Sequence, residues 1–415
     1  MLTTRRRFLS AISAATAASA GLLSLSSRAP RFLWESAALG AERKAGENIL
    51  VIVQLSGGND GLNTVIPFRQ EKYRAARPSL AFGAESVLKV DADTGLHPSL
   101  KGLEKLLEAN QLSILQGIGY PNPNRSHFES MDIWHTASMQ PGHRDIGWLG
   151  RTFDGQRTLL EKVSDPPGIH LGAEVQPLAL AARDFPSPSI RSLDLFKLDT
   201  GADDAQRSAI QAATVAPRSS ASDLLKFVQT RATSALEVSR RLEDSALNYK
   251  TSVNYPGSSL GEKLKNVAQL IDAGLATRVY YVALDGFDTH SDQADAHAGL
   301  LQQLGDALAA FSEDLGLHSH AERVTTLVFS EFGRRVAENA SRGTDHGAAA
   351  PVFLVGNKVK PGLIGKLPSF DDLDDGDLKH HTDFRSVYAT LLEKWLGWPS
   401  ASVLGDMFKP AELFV

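Results

Sequence analysis

The sequence predicts an α/β fold in which helices cover both faces of a mostly parallel β-sheet. Two observations lead to this prediction: short apolar segments rich in β-branched residues recur along the chain, and helical patterns separate them. Strands of a parallel sheet are apolar throughout because helices bury both of its faces. Strands that alternate with helices are typical of this architecture.

Each predicted element has its own local pattern. Five segments are short and mostly apolar, as buried strands are: Ile49–Leu55, Leu112–Gln116, Arg278–Leu284, Arg323–Phe329 and Val352–Val355. Four segments have the pattern of helices: Leu100–Leu107, Phe128–Thr136, Leu300–Leu315 and Ser386–Leu396. We therefore expect one sheet domain over residues 47–415.

The segment 166–261 differs from the rest of this domain. It is rich in Pro, Ser and Ala, and it contains one long polar helical pattern at about Ser222–Tyr249. We interpret it as a partly helical insertion or cap within the sheet domain, with an independent small domain as the alternative. A cap over a rigid sheet commonly sets specificity.

The first forty residues resemble a twin-arginine signal peptide. Residues 4–9 read TRRRFL, and a short, weakly apolar run rich in Ala and Ser follows over residues 11–25. The run is too weakly apolar for a membrane span, which needs about 20 apolar residues. The prediction is export by the Tat translocase to the periplasm or beyond, with no stable membrane span afterwards. An N-terminal anchor or a chance basic start is the alternative.

The composition excludes several classes of protein. The 415 residues include no Cys, which excludes disulfides, thiolate metal sites and cysteine nucleophiles. With 43 Lys and Arg against 48 Asp and Glu, the formal net charge is −5, and no basic block occurs. We therefore expect no nucleic-acid partner.

Carboxylate and imidazole side chains border the ends of the predicted strands. Ligands in open α/β sheets bind beyond the carboxyl ends of the strands. The candidate metal ligands at these positions are Asp60, Asp288, His290, Glu331, Asp345 and His346. Such residues on several separate loops are typical of a one- or two-metal hydrolytic site. Each also has a structural alternative: a glycine-rich turn, an ion pair with a neighbouring Arg, or a helix cap.

A second group of candidates lies between the second strand and the following helix. Ser126 stands where the helix begins, and a hydroxyl there is a nucleophile if a metal or a base lowers its pKa. Arg125 would hold an anionic group, and His127 would act as an acid, a base or a ligand. A helix N-cap is the alternative for Ser126, and a packed ring is the alternative for His127.

These residues together make the chain similar to a known family. It resembles the exported bacterial proteins of domain-of-unknown-function family 1501, over the signal and nearly the whole mature chain. The resemblance runs through Gly57–Asn63, Gly95–Pro98, Arg125–Phe128, Asp288–His290, Ser330–Arg335 and Gly343–Gly347.

That family in turn resembles the alkaline phosphatase and sulfatase superfamily, which implies a metal-centred hydrolase fold. The resemblance implies that Asp60 corresponds to the first metal carboxylate, and that Asp288 and His290 correspond to an Asp-and-His loop. Arg125-Ser126 departs from the Cys/Ser-x-Pro-x-Arg pattern of sulfatases, and the chain has no Cys. We therefore do not expect a formylglycine-type sulfatase.

The resulting hypothesis is an exported metal-dependent hydrolase of phosphate or sulfate esters. One or more divalent ions, Zn, Mg, Mn or Ca, would be held by the six candidate ligands. Ser126 or a metal-bound water would be the nucleophile, and the substrate would be an anionic ester of a small molecule or glycan. The alternative is a non-catalytic envelope or surface-assembly protein that retains the fold.

Overall fold

The computed structural model describes residues 47–163, 165–191 and 249–415. The predicted signal peptide, residues 1–40, lies outside these ranges, as does nearly all of the predicted helix at Ser222–Tyr249. Within the described residues no helix is both long enough and apolar enough to cross a membrane.

The regular elements of the described chain alternate between strands and helices. The strands are β1 Ile49–Ser56, β2 Val65–Ile66, β3 Leu88–Lys89, β4 Gly95–Leu96, β5 Leu112–Gly119, β6 Gly168–Leu171, β7 Ser189–Ile190, β8 Val279–Asp285, β9 Val324–Ser330, β10 Arg334–Glu338, β11 Thr344–His346, β12 Ala350–Val355, β13 Gly362–Ile364, β14 Leu373–Asp374, β15 Asp377–Leu378 and β16 Thr382–Asp383. The α-helices are α1 Gly61–Thr64, α2 Glu71–Ala76, α3 Lys101–Glu108, α4 His127–Thr136, α5 Trp148–Gly155, α6 Arg157–Leu160, α7 Ser259–Asp272, α8 Gln293–Leu317, α9 Phe384–Thr390 and α10 Ala401–Leu404. One π-helical turn, Leu391–Leu396, continues α9.

A nine-stranded sheet forms the centre of the domain. Its order is β13–β5–β12–β9–β1–β8–β6–β7, and β16 also pairs with β5. The strands from β9 to β7 are parallel, with Val53 of β1 opposite Val282 of β8 and Val328 of β9. Only β12 runs antiparallel to its neighbours in this sheet, among the described residues. The predicted mostly parallel sheet is therefore confirmed, and all five predicted strands belong to it.

The two faces of β1 pack against different layers of helices. Val51 and Val53 lie in a buried cluster with apolar residues of α3, α7 and α8. Leu50 and Ile52 lie in a second cluster with residues of α4, α5 and α9. Successive side chains of a strand point to opposite faces, so a continuous apolar run is buried only when both faces are covered. This confirms the predicted layers of helix, sheet and helix.

The described parts of segment 166–261 continue the sheet domain. β6 pairs with β8, β7 pairs with β6, and α7 packs in the same core as β8. The rest of the predicted insertion, residues 192–248, lies outside the described residues. The strands β6 and β7 have only four and two residues, so their apolar patterns are too short to stand out in the sequence.

The strands β1, β8 and β9 end at the same edge of the sheet, and their loops approach one another closely. Gly57 has φ of +117°, and a Cβ built on it would lie 2.4 Å from the backbone nitrogen of Asp288. A Cβ on Gly343 would lie 2.2 Å from the carbonyl carbon of His290. No side chain fits at either position. Glycines therefore allow the loops with the candidate ligands to meet.

Candidate metal centre

Three histidines converge on one carboxylate oxygen at this edge. Oδ1 of Asp288 lies 3.1 Å from Nε2 of His290, 3.1 Å from Nε2 of His346 and 3.4 Å from Nε2 of His127. The Nε2 atoms of His290 and His346 lie 2.9 Å apart. Asp288 and His290 come from the loop after β8, His346 ends β11, and His127 begins α4. The structure thus brings together residues from three separate parts of the chain.

The other nitrogen of each ring has a hydrogen-bond partner. Nδ1 of His127 lies 2.8 Å from Oε1 of Glu331, and Nδ1 of His290 lies 3.1 Å from Oδ1 of Asp345. Nδ1 of His346 lies 2.7 Å from the carbonyl oxygen of Arg125. These acceptors assign the proton of each neutral ring to Nδ1, which leaves a lone pair on Nε2. Carboxylates and carbonyls orient metal-binding histidines in this way.

The distances within the cluster fit a metal ion. Ligand atoms at Zn–N distances of 2.0–2.1 Å from a tetrahedral ion lie about 3.3 Å apart. The four separations given above are 2.9–3.4 Å, and the ligand atoms of His127, Asp288 and His346 all lie within 4.8 Å of one another. Nε2 of His127 is buried and has no hydrogen-bond partner among the described residues. An orphaned buried nitrogen that faces a carboxylate at 3.4 Å is suited to coordinate a cation.

Arg334 lies beneath the cluster and is fully buried. Its guanidinium donates to Oδ1 of Asp288 at 2.8 Å and to the carbonyls of Phe287 at 3.0 Å and Thr344 at 2.7 Å, and its Nε donates to the carbonyl of Gly58 at 2.7 Å. Burial alone would raise the pKa of Asp288, but the hydrogen bond and the charge of Arg334 outweigh burial and lower the pKa to about 2. Asp288 is therefore ionised at neutral pH. The hydrogen bonds of Arg334 also hold together the loops that contain Gly58, Asp288 and Thr344.

Glu331 and Asp345, both predicted as ligands, lie behind histidines of the cluster. Glu331 is 2% exposed, and its Oε1 also accepts from the backbone N–H of Gly57 at 2.8 Å. Its hydrogen bond raises the pKa of His127. Asp345 also accepts from Nδ2 of Asn339 at 3.1 Å. Both carboxylates are thus placed to orient imidazole rings and increase their basicity.

Asp60, predicted as the first ligand, is fully buried and bound by other side chains. Its Oδ2 accepts from Nη1 of Arg77 at 2.6 Å and from Nε2 of Gln293 at 2.5 Å. Burial raises the pKa of Asp60, but the charge and hydrogen bond of Arg77 outweigh it, so the net shift is downward. The side chain of Asp60 is thus bound by residues other than the histidines of the cluster.

Gln293 links Asp60 to the loops of the cluster. Its Oε1 accepts from the hydroxyl of Thr344 at 2.6 Å and from that of Thr289 at 3.1 Å. Thr289 lies between Asp288 and His290, and Thr344 directly precedes Asp345 and His346. A single buried amide therefore joins both ligand loops.

Ser126 stands exposed at the N-cap position of α4. Its hydroxyl makes no capping hydrogen bond with the described residues, and its N–H donates to Oδ1 of Asn124 at 2.8 Å. Both of its neighbours touch the cluster, Arg125 through its carbonyl and His127 through its ring. The hydroxyl is thus not used as a cap.

The side chain of Arg125, predicted to hold a substrate anion, is held by two carboxylates of the protein. It donates from Nε at 2.9 Å and from Nη2 at 2.6 Å to Oδ2 of Asp377, and from Nη1 at 2.9 Å to Oδ2 of Asp375.

Sequence reasoning did not find several residues of this site. For His127 it left three roles open, a ligand, an acid or base, and a packed ring, and the structure places its Nε2 3.4 Å from Oδ1 of Asp288. It did not find the buried partners Arg77 and Gln293, or the contact of Arg334 with Asp288. The adjacency of His127 to Ser126 was the one available signal, since Arg77 and Gln293 come from helical regions without a distinctive pattern.

One protein-family model matches this chain. A model described as "Protein of unknown function (DUF1501)" matches residues 47–396. The chain belongs to the DUF1501 family. This match confirms the resemblance inferred from the motifs of the sequence.

No curated protein matches the DUF1501 chain in sequence. Three similar solved structures are the PsFucS1 sulfatase from Pseudoalteromonas sp., an alkaline phosphatase superfamily protein from Vibrio parahaemolyticus, and the C-terminal periplasmic domain of EcEptC from Escherichia coli in complex with Zn. Their sequence identities are 10%, 9% and 10%, and their TM-scores are 0.39, 0.39 and 0.32. The matches cover 92%, 87% and 76% of this chain and 73%, 67% and 74% of the other chains. At these TM-scores the similarity supports no inference about the site, which rests on the contacts described above.

Proposed function

We propose that this DUF1501 protein is an exported metal-dependent hydrolase of phosphate or sulfate esters. One observation carries the proposal: three imidazole Nε2 atoms converge on Oδ1 of Asp288, while each Nδ1 has a hydrogen-bond acceptor. Such an arrangement presents several lone pairs to one point, and a cation there relieves their repulsion.

The residues that would hold the ion are His127, Asp288 and His346, whose ligand atoms all lie within 4.8 Å of one another, and His290 lies beside them. Imidazole nitrogens together with one carboxylate favour Zn²⁺ or a similar transition-metal ion over Mg²⁺ and Ca²⁺, which prefer oxygen ligands. When bound, the ion would polarise an ester oxygen and lower the pKa of the attacking group.

The chain's own residues would position the substrate and the nucleophile. Ser126 offers an exposed hydroxyl at the N-terminus of the ten-residue helix α4, where backbone N–H groups and the helix dipole stabilise an anionic ester. A water molecule is the alternative nucleophile. Glu331 and Asp345 would keep the rings of His127 and His290 in position.

Exposure of the cluster favours the enzyme over a protein with a purely structural metal. The side chains of Asp288 and His290 are 49% and 43% exposed. Structural zinc sites are closed by four protein ligands, whereas catalytic sites keep an open side for substrate. The non-catalytic envelope protein of the alternative hypothesis would not need this open side.

Turnover of aryl phosphate and aryl sulfate esters tests the proposal. We expect turnover by the metal-loaded protein, and its loss in Asp288→Asn and His346→Ala. The exposed His143 provides a matched control, because His143→Ala removes an imidazole outside the cluster. Equal turnover in all four proteins, or none on any ester, would contradict the proposal.

Export is proposed from the sequence of residues 1–40. Replacing Arg5, Arg6 and Arg7 by Lys should retain the protein in the cytoplasm, because the twin arginines are read by the translocase. Cell fractionation measures this, and unchanged export of the variant would contradict it.

A further inference from the structure

A small β-hairpin places a carboxylate against Arg125, whose backbone carbonyl contacts the candidate metal centre. β14 and β15 pair antiparallel, and the two residues between them are Asp375, with φ of +50°, and Gly376, with φ of +86°. Two left-handed residues make the tight turn that matches the twist of a hairpin. The side chain of Asp375 at the tip is 72% exposed.

Two arginines converge on this exposed carboxylate. Oδ2 of Asp375 accepts from Nη1 of Arg125 at 2.9 Å and from Nη2 of Arg335 at 3.1 Å. Beneath them, Asp377 is 2% exposed and holds Nε and Nη2 of Arg125. The buried carboxylate thus fixes Arg125, and the exposed carboxylate takes the donors that remain.

Both arginines belong to chain segments that contact the cluster of histidines. The carbonyl of Arg125 accepts from His346 at 2.7 Å, and Arg335 follows Arg334, which contacts Asp288.

We propose that Arg125 and Arg335 form an anion subsite of the active site, which the carboxylate of Asp375 occupies until an anionic group of the substrate displaces it. The role as a substrate subsite rests on the proposed function, whereas the binding of an anion does not. The substrate class is an ester that carries a second anionic group, such as a phosphate, sulfate or carboxylate, besides the ester that is cleaved.

Charge balance and donor geometry support the exchange. The two arginines are neutralised by Asp375 and Asp377, so release of Asp375 leaves one positive charge for an incoming anion. Guanidinium groups present forked N–H donors that match carboxylate, phosphate and sulfate oxygens. Asp375 is exposed, and each strand of its hairpin has only two residues, so its movement breaks few contacts.

Calorimetric titration with inorganic phosphate and with sulfate tests the subsite. The protein is the full chain, as purified and after treatment with a chelator, so that binding to a metal is separated from binding to the arginines. Asp375→Asn keeps a residue that tolerates the left-handed turn and removes the charge. Asp372→Asn is the matched control, because Asp372 lies in the same acidic loop but pairs with Lys379.

We expect Asp375→Asn to bind phosphate about fivefold tighter than the wild type, because exposed ion pairs contribute up to about this factor. Asp372→Asn should bind like the wild type, and Arg335→Met in the Asp375→Asn background should remove the gain. An unchanged affinity in Asp375→Asn, or an equal gain in Asp372→Asn, would overturn the proposal. Gained affinity without ester turnover in any protein would contradict only the proposed function.

Discussion

The Nε2 atoms of His290 and His346 lie 2.9 Å apart, although the Nδ1 atom of each ring has its own acceptor. Two neutral rings with protons on Nδ1 would present lone pairs to each other at this distance. A proton or a metal ion between them removes the repulsion. Nε2 of His127 and Oδ1 of Asp288 present further lone pairs to the same cluster. A metal ion can bind several lone pairs at once, so the arrangement favours a metal ion over a proton.

Loss of the charge behind His127 should weaken metal binding. Glu331→Gln keeps the size of the side chain and an oxygen acceptor for Nδ1, but the neutral amide makes the ring less basic. We expect the dissociation constant for Zn²⁺ to rise about 10- to 100-fold, as for other changes behind metal-binding histidines. Glu129→Gln, which neutralises a half-exposed carboxylate that pairs with Arg144 outside the cluster, is the control. Competition titration with a metal indicator measures both, and equal affinities would contradict the role of Glu331.

The hydrogen bond between Thr344 and the buried amide of Gln293 should strengthen metal binding. Thr344→Val removes the hydroxyl that donates to Gln293 at 2.6 Å, while Thr344→Ser retains it. We expect Thr344→Val, but not Thr344→Ser, to raise the dissociation constant for Zn²⁺ about tenfold, because the loop with His346 loses its hydrogen bond to Gln293. The same change in affinity for both variants would show that packing, and not the hydrogen bond, positions the loop.

The identity of the nucleophile is open to a direct test. If Ser126 attacks the ester, Ser126→Ala should reduce kcat by about a hundredfold or more, since removal of a nucleophile disables the chemical step. Metal content should be unchanged, because the hydroxyl makes no capping hydrogen bond and α4 keeps its other contacts. Retention of most of the activity would assign the attack to a water molecule.

Acid should destabilise the protein through His135, which lies outside the cluster. Burial lowers the pKa of His135 to about 3, and its Nε2 contacts Oε1 of Gln54 at 2.9 Å. Between the unfolded-state pKa of 6.5 and this value, the unfolded chain binds a proton that the folded protein does not. The contribution of neutral His135 to the free energy of unfolding is therefore complete above pH 6.5. It is lost as the pH falls through this range, by up to about 1.4 kcal/mol per pH unit.

Denaturant unfolding between pH 7 and pH 5 measures this effect. We expect His135→Gln to reduce the slope of the unfolding free energy against pH, whereas the exposed His143→Ala should not. An unchanged slope in His135→Gln would mean that His135 does not remain neutral in the folded protein.

The sequence was sufficient to predict the strands whose own residues are apolar along most of their length. Residues 49–55 are apolar except for Gln54, and the structure buries them on both faces as β1. The antiparallel direction of β12 could not be predicted in the same way, because it depends on the chain returning beside β9 after the β10–β11 hairpin. The strands β6 and β7 are held by pairing with their neighbours, which leaves little signal in their own residues.

The sequence was sufficient to predict several residues of the candidate site, but not the role of each residue in it. Loops beyond parallel strands meet at one edge, so Asp288, His290 and His346 could be expected to lie together. The sequence does not show which nitrogen of a ring faces the centre, so Glu331 and Asp345 could not be distinguished from ligands. The pairing of Asp60 with Arg77 arises from the folding of a loop and α2 over the first strand end, which no local pattern indicates.

The metal content of the purified protein, measured by elemental mass spectrometry, tests the central claim most directly. The comparison is between the wild type, Asp288→Asn and the control Asp292→Asn. Asp292 lies four residues after Asp288, and its exposed carboxylate pairs with Arg342. We predict about one divalent ion per chain in the wild type and in Asp292→Asn, and its loss in Asp288→Asn. No bound ion in the wild type after incubation with divalent metals, or equal content in Asp288→Asn, would contradict the metal centre.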